Sequence, residues 1–263
     1  MNSKHNWLNC LFLCLPMFML AQQELYREAH FVKQNDTLNY RILLPDNFSE
    51  NKSYPLVLFL HGAGERGNDN QAQLVHGSSL FADSENRAKY PAIVIFPQCP
   101  KDDYWANVEV DRSKKGVELE FHQEKGPTTA LSLVMELLKE QLEKPYVDKE
   151  KVYVAGLSMG GMGTFEILSR MPNTFAAAIP ICGGGDDDLV AKYAQVPMWI
   201  FHGAKDEVVN PKYSLEMAEA LLEAGGHPNF TLYENATHNS WDSAFAEPEF
   251  LNWLFSKQRT LQY

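Results

Sequence analysis

From about residue 55 onward the chain alternates between two kinds of stretch. Short unbroken apolar runs, such as "YPLVLFL", "YPAIVIF" and "KVYVAG", alternate with longer stretches whose apolar residues recur at helical spacing. A run without polar alternation fits a strand buried on both faces, as in a parallel sheet. "FAAAIPI", "VPMWIFHG" and "NFTLYENATH" read the same way. Among the helical stretches, "GPTTALSLVMELLKEQLEKPY" offers Thr128 or Thr129 as a cap and stops before Pro145. "MGGMGTFEILSRMP" stops at Pro172, and "PKYSLEMAEALLEAGG" opens on Pro211 and closes on Gly225 and Gly226. "SAFAEPEFLNWLFSKQ" reads as one closing helix.

Earlier residues follow a different rhythm. "YREAHFVKQNDTLNYRILLPDNF" alternates in two runs separated by Asn35-Asp36, which predicts a hairpin of antiparallel strands. Residues 101–126 are polar and irregular and predict a long loop near the ligand face. The whole order implies an α/β fold: a mostly parallel central sheet, antiparallel strands at its N-terminal end and helices on both faces. No linker interrupts it, so residues 22–263 read as one domain.

Composition narrows the possible partners. The chain has 263 residues and a net charge of −11. That balance argues against nucleic acid, whose phosphates demand a basic face, and against an anionic membrane surface. "MNSKHNWLNCLFLCLPMFMLAQQ" has a charged start and a short apolar middle interrupted by Asn9 and Pro16. It is too short and broken for a membrane span and reads as a secretory signal peptide over residues 1–21. The expected location is secreted or periplasmic, with no stable membrane insertion after cleavage. Cys99 and Cys182 then remain, and in an oxidising compartment they either bridge or stay as two buried thiols.

One short stretch carries the chemistry. Gly156-Leu157-Ser158-Met159-Gly160 joins an apolar run directly to a helical one. A serine at so sharp a turn is lifted above the sheet, and the flanking glycines avoid collision with neighbouring elements. In that context the pentapeptide resembles the nucleophile elbow of the α/β-hydrolase fold. That fold expects an acid and then a histidine further along the chain, each at the carboxyl end of a strand. Asp206 in "HGAKDEVV" and His238 in "ENATHNSW" fit in that order. The elbow also implies an oxyanion hole from the N–H of Met159 and an N–H in "HGAGERG", with Ala63 preferred and Gly62 second. Glu65 and Arg66 in the same stretch either pair or are solvated. His61 and His202 read as structural.

"LHGAGERG", "FPQCP…W", "GLSMGGMGTFEIL", "PICGGGD", "FHGAKDEVV" and "HNSWD" together resemble the α/β-hydrolase serine esterases of one branch. It contains secreted polyhydroxybutyrate depolymerases, feruloyl and acetylxylan esterases, and the catalytic domain of prolyl oligopeptidases. The resemblance implies a carboxylesterase with a Ser158–Asp206–His238 triad and no cofactor, acting on a small-molecule or carbohydrate ester. Short-acyl esters, or feruloyl and acetyl esters of polysaccharide, are the implied substrates. Trp105 and Trp241 are candidates for lining the pocket, and no metal-binding spacing is visible. Two alternatives remain: a small prolyl oligopeptidase-like serine peptidase, and a non-catalytic binding protein on a hydrolase scaffold.

Overall fold

The computed structural model describes residues 23–113 and 116–259. The expected leader, residues 1–21, lies outside them. The described residues form ten strands: β1 (Arg27–Lys33), β2 (Asp36–Leu43), β3 (Tyr54–Leu60), β4 (Ile93–Pro97), β5 (Val108–Asp111), β6 (Glu118–Phe121), β7 (Val147–Leu157), β8 (Ala177–Ile181), β9 (Trp199–Gly203) and β10 (Asn229–Tyr233). Eight make one sheet in the order β1-β2-β4-β3-β7-β8-β9-β10. β2 runs antiparallel to β1 and β4, and every pairing from β4 to β10 is parallel. The β1–β2 hairpin turns through Gln34 and Asn35, one residue earlier than its Asn35-Asp36 signal, with Gln34 at φ 55°.

The apolar runs are buried on both faces, as their lack of alternation requires. In β3, Leu56, Leu58 and Leu60 join the core on one face while Val57 and Phe59 join the core on the other. β7 divides its side chains likewise, with Val152 and Val154 against Tyr153 and Ala155. Each such side chain contributes about 1.5–3 kcal/mol by leaving water.

Among the described residues seven α-helices flank the sheet: α1 (Ser78–Ala82), α2 (Ser84–Lys89), α3 (Thr129–Leu142), α4 (Met159–Arg170), α5 (Lys212–Glu223), α6 (Ser240–Phe245) and α7 (Phe250–Phe255). Apolar residues of α3, α4 and α5 enter the first core, and those of α1, α6 and α7 enter the second. Thr128 caps α3 by accepting the Leu131 N–H at 3.2 Å, a cap contact that contributes about 1 kcal/mol. Among the described residues no helix is long and apolar enough to cross a membrane.

Two expectations need correction, and the alternative left open for the two cysteines is decided. The closing helix is two helices, α6 and α7, interrupted at 246–249. Pro248 lies in the break, and a proline pushes the residue before it out of helical backbone. Residues 101–126 are not all loop, since β5 and β6 pair there as an antiparallel ribbon. A small apolar cluster holds it down: Ala106, Met162, Val209 and Tyr213, joined by Val108, Val117, Leu119 and Phe121. Cys99 and Cys182 are both buried free thiols. They belong to cores on opposite faces of the sheet, so a bridge is out of reach. Burial pushes both thiols well above their ordinary range.

Candidate active site

β7 ends at Leu157 and α4 begins at Met159, which leaves Ser158 as the whole turn between them. Its backbone takes φ 53° and ψ −115°, a left-handed conformation that costs a non-glycine residue about 1–3 kcal/mol. The Ser158 N–H donates to the Ile181 carbonyl at 2.8 Å, which fixes the turn to β8. Close packing explains the glycines. A Cβ on Gly156 would lie 2.2 Å from the Gly160 carbonyl oxygen, and one on Gly160 would lie 1.9 Å from the Leu60 carbonyl oxygen.

His238 follows β10, and Asp206 follows β9. The Ser158 hydroxyl lies 3.0 Å from His238 Nε2, and His238 Nδ1 lies 2.8 Å from Asp206 Oδ2. With Nδ1–H donating to the carboxylate, Nε2 is left to accept the serine proton. The N–H groups of Val208 and Val209 donate to Asp206 Oδ1 at 2.8 and 2.9 Å. Burial alone would raise this carboxyl. Hydrogen bonds from His202 and His238, the charge of His238 and the Val208 N–H outweigh it and hold the group well below the ordinary carboxylate range.

His202 has a larger part than its sequence context suggested. Its Nε2 lies 3.2 Å from Asp206 Oδ2 and 3.0 Å from the Val209 carbonyl, and its Nδ1 lies 2.7 Å from Ser214 Oγ. The Ser214 hydroxyl donates to the Gly183 carbonyl at 2.8 Å. Asp206 is therefore flanked by two imidazoles, of which only His238 reaches the serine.

Met159 is the first residue of α4, so its N–H has no carbonyl one turn back. Gly62 and Ala63 line the same cleft as Ser158, His238 and Trp241, a cavity of about 260 Å³. The loop bearing them is braced by Arg66, which donates to the carbonyls of Ala63, Lys101 and Asp103, each at 3.1 Å. Glu65 does not pair with Arg66; its carboxylate stands 3.8 Å from His76 Nε2.

His61 anchors that loop from beneath. The imidazole is 1% exposed. It donates from Nδ1 to the Gly62 carbonyl at 2.6 Å and accepts the Cys99 N–H on Nε2 at 3.0 Å. Burial, the larger effect, and the nearby Arg66 charge push its pKa down to about 4, against the Gly62 hydrogen bond. An unfolded histidine titrates near 6.5, so below that pH the unfolded chain binds the extra proton. Stability from neutral His61 is therefore complete above pH 6.5 and is lost as pH falls toward 4, by about 3 kcal/mol. Urea unfolding between pH 7 and 4 should show a steeper loss in the native protein than in His61→Asn. Equal slopes would contradict this assignment.

Of the two tryptophans, only Trp241 lines the cleft, its ring edge-on to His238 with centroids 5.4 Å apart. Trp105 is fully buried in the first core and donates from Nε1 to the His61 carbonyl at 3.1 Å, so it packs rather than lines. Of the remaining walls, the 101–126 stretch was expected near the ligand face, whereas Val208 and Val209 were not singled out. Tyr104, Val110, Arg112, Val117 and Leu119 come from the β5–β6 region, and Val208 and Val209 from the loop after β9. Both ends of the ribbon are tied. The Asn107 N–H donates to the buried carboxylate of Glu166 on α4 at 2.6 Å, and Arg170 holds the same carboxylate at 2.8 Å. At the far end the Val117 N–H donates to the Val208 carbonyl at 3.0 Å.

Similarity to known proteins follows the same geometry. A family model described as "Putative esterase" matches residues 33–241, a span that includes Ser158, Asp206 and His238. A bifunctional acetylxylan esterase/xylanase of Neocallimastix patriciarum is 28% identical over 180 residues, covering 64% of this chain and 21% of its own length. The crystal structure of a thermostable esterase aligns with a TM-score of 0.82 and 33% identity, over 91% of this chain and 64% of that one. The chain thus spans about a fifth of the first relative and just under two thirds of the second. A ferulic acid esterase of Anaeromyces mucronatus, in complex with ferulic acid, shares the α/β-hydrolase fold. Its TM-score is 0.64 at 18% identity, over 88% of this chain and 90% of that one.

Proposed function

Because the chain belongs to the esterase family whose model spans residues 33–241, we propose that it is a serine carboxylic ester hydrolase working through an acyl-enzyme. Ser158 attacks the ester carbonyl while His238 takes the hydroxyl proton on Nε2. Asp206 stays ionised beside the imidazolium that forms. The tetrahedral oxyanion accepts the N–H of Met159 and of Ala63. Collapse of this intermediate breaks the bond to the alcohol, which leaves with the proton from His238. Water then repeats the sequence on the acyl-enzyme, with His238 as base, and releases the acid and free Ser158.

The observation that carries this reading is the unbroken line from the Ser158 hydroxyl through His238, at 3.0 and 2.8 Å, to a carboxylate held ionised. We assign the substrates to short-acyl esters, or to acetyl and feruloyl esters on polysaccharide. The names of the acetylxylan and ferulic acid esterases above support this class. Residues 22–263 act in this reading as one catalytic domain, exported to the periplasm or beyond by the leader at residues 1–21.

Two experiments on the mature protein test the reading. A fluorophosphonate probe should form a stable adduct on Ser158, found by peptide mass analysis. Turnover of 4-nitrophenyl acetate should exceed that of aminoacyl 4-nitroanilides by at least about 100-fold in kcat/KM, since each tenfold is 1.4 kcal/mol of transition-state discrimination. Preference for the anilides would make the enzyme a peptidase, and absence of both adduct and turnover would make it a binder.

A further inference from the structure

Arg112 is the one Lys or Arg among the described residues that line the cleft. Its side chain is exposed, and no carboxylate lies within ion-pair distance of it among the described residues. Five of the other six arginines are engaged. Arg41 and Arg87 pair with Glu28 and Asp46, Arg170 with Glu166, and Arg66 and Arg259 donate to backbone carbonyls. Arg27, which has no ion pair among the described residues, sits on the edge strand β1 and does not line the cleft. A guanidinium with a free planar fork, set against an otherwise apolar wall of Val110, Val117, Leu119 and Met162, is built to receive an oxyanion.

The turn of the β5–β6 ribbon docks on residues 208–209 through the Val117 N–H and the Val117–Val209 bridge. The N–H groups of those two residues hold Asp206, and Asp206 holds His238. The ribbon that bears Arg112 is thus tied to the loop that holds Asp206 and His238, and the Arg112 charge also reaches Tyr104, whose ring lies under Arg66. The carboxylate of the cleft, Glu65, lies on the opposite loop after β3, where His76 faces it at 3.8 Å. On a chain of net charge −11 an anionic substrate is repelled at long range, so a local cation decides whether one is admitted.

We infer that Arg112 is a specificity-determining residue that favours esters carrying a carboxylate, as an acetylated oligosaccharide substituted with an acidic sugar does. The inference rests on the ester-hydrolase reading given above. A matched pair of aryl acetates tests it: 4-carboxyphenyl acetate, which is anionic, and 4-carbamoylphenyl acetate, which is neutral and nearly isosteric. Arg112→Gln should lower kcat/KM for the anionic ester about tenfold more than for the neutral one, with the change carried by KM. Arg112→Lys, which keeps the charge, should retain most of the anionic preference. Raising the ionic strength should erode that preference in the native enzyme and leave Arg112→Gln unmoved. Equal effects of Arg112→Gln on both esters, or none on either, overturn the inference while the hydrolase reading stands. A native enzyme inactive on both esters overturns the two together.

Discussion

Ser158→Ala is expected to lower kcat/KM for 4-nitrophenyl acetate by about 10⁴–10⁶-fold, a loss on the order of 5–8 kcal/mol of transition-state stabilisation. An alanine retains the elbow but has no atom to attack the carbonyl. The imidazole and the two N–H groups remain and can only orient water, which accounts for the residual rate. Stability should change little. Ser158 is partly exposed, alanine tolerates φ 53° about as poorly as serine does, and the one hydrogen bond lost is that to His238. Thermal unfolding should therefore stay within a few degrees of the parent while steady-state turnover collapses. A variant that kept a tenth of the parental activity would remove Ser158 from the chemistry.

Gly160→Ala should have the largest effect on the fold. An added methyl would sit 1.9 Å from the Leu60 carbonyl oxygen, 2.5 Å from its carbon and 2.8 Å from the His61 carbonyl oxygen. All three atoms are backbone at the end of β3, so no rotamer change relieves the clash. Ordinary carbon–oxygen contact begins near about 3.3 Å, so α4 and β3 must separate by more than about 1 Å. We expect a loss of about 3 kcal/mol or more, a large share of the 5–15 kcal/mol typical of a domain. The same movement carries the Met159 N–H away from Ala63, and a displacement of that size costs about 100-fold in rate. Urea denaturation and kcat measured on one preparation would record both effects. Gly64→Ala is the control: a Cβ there meets nothing within 4 Å, and stability should hold within about 0.5 kcal/mol. A Gly160→Ala protein as stable as that control would refute the packing argument.

These two residues also mark how far the sequence could be read. Ser158, Asp206 and His238 were legible because each stands at a strand end, and strand ends are visible as the close of an apolar run. Gly156 and Gly160 were legible because a tight crossing leaves no room for Cβ. The ribbon at 108–121 was not legible. Its strands are only four residues long and read "VEVD" and "ELEF", with acidic residues facing each other at Glu109–Glu120 and Asp111–Glu118. Charges in such pairs weaken a strand signal, and what holds the ribbon is contact with Met162, Val209 and Tyr213, distant in the chain. Trp105 failed for a related reason. A tryptophan in a polar stretch suggests a ligand surface, yet its partner is the His61 carbonyl, 44 residues earlier. His202 gave a signal in "FHG" that was read as local, because nothing in one dimension says that an imidazole at the end of β9 turns toward the residue four positions on. The break between α6 and α7 was visible at Pro248 and should have been weighed above the apolar spacing.

The tethering of the β5–β6 ribbon has a consequence for how this molecule can diversify. Nucleophile, base and acid are drawn from three distant stretches, each just past the end of a parallel strand of the main sheet. Much of the wall beside them comes from one excursion, leaving the scaffold near Asn107 and returning to it before Thr128. Insertions, deletions or wholesale grafts within that excursion leave the backbone ladder of the main sheet untouched. Changes of outer contour are thus confined to one stretch and touch the reactive centre through a single seam, where Val117 meets the loop that holds Asp206.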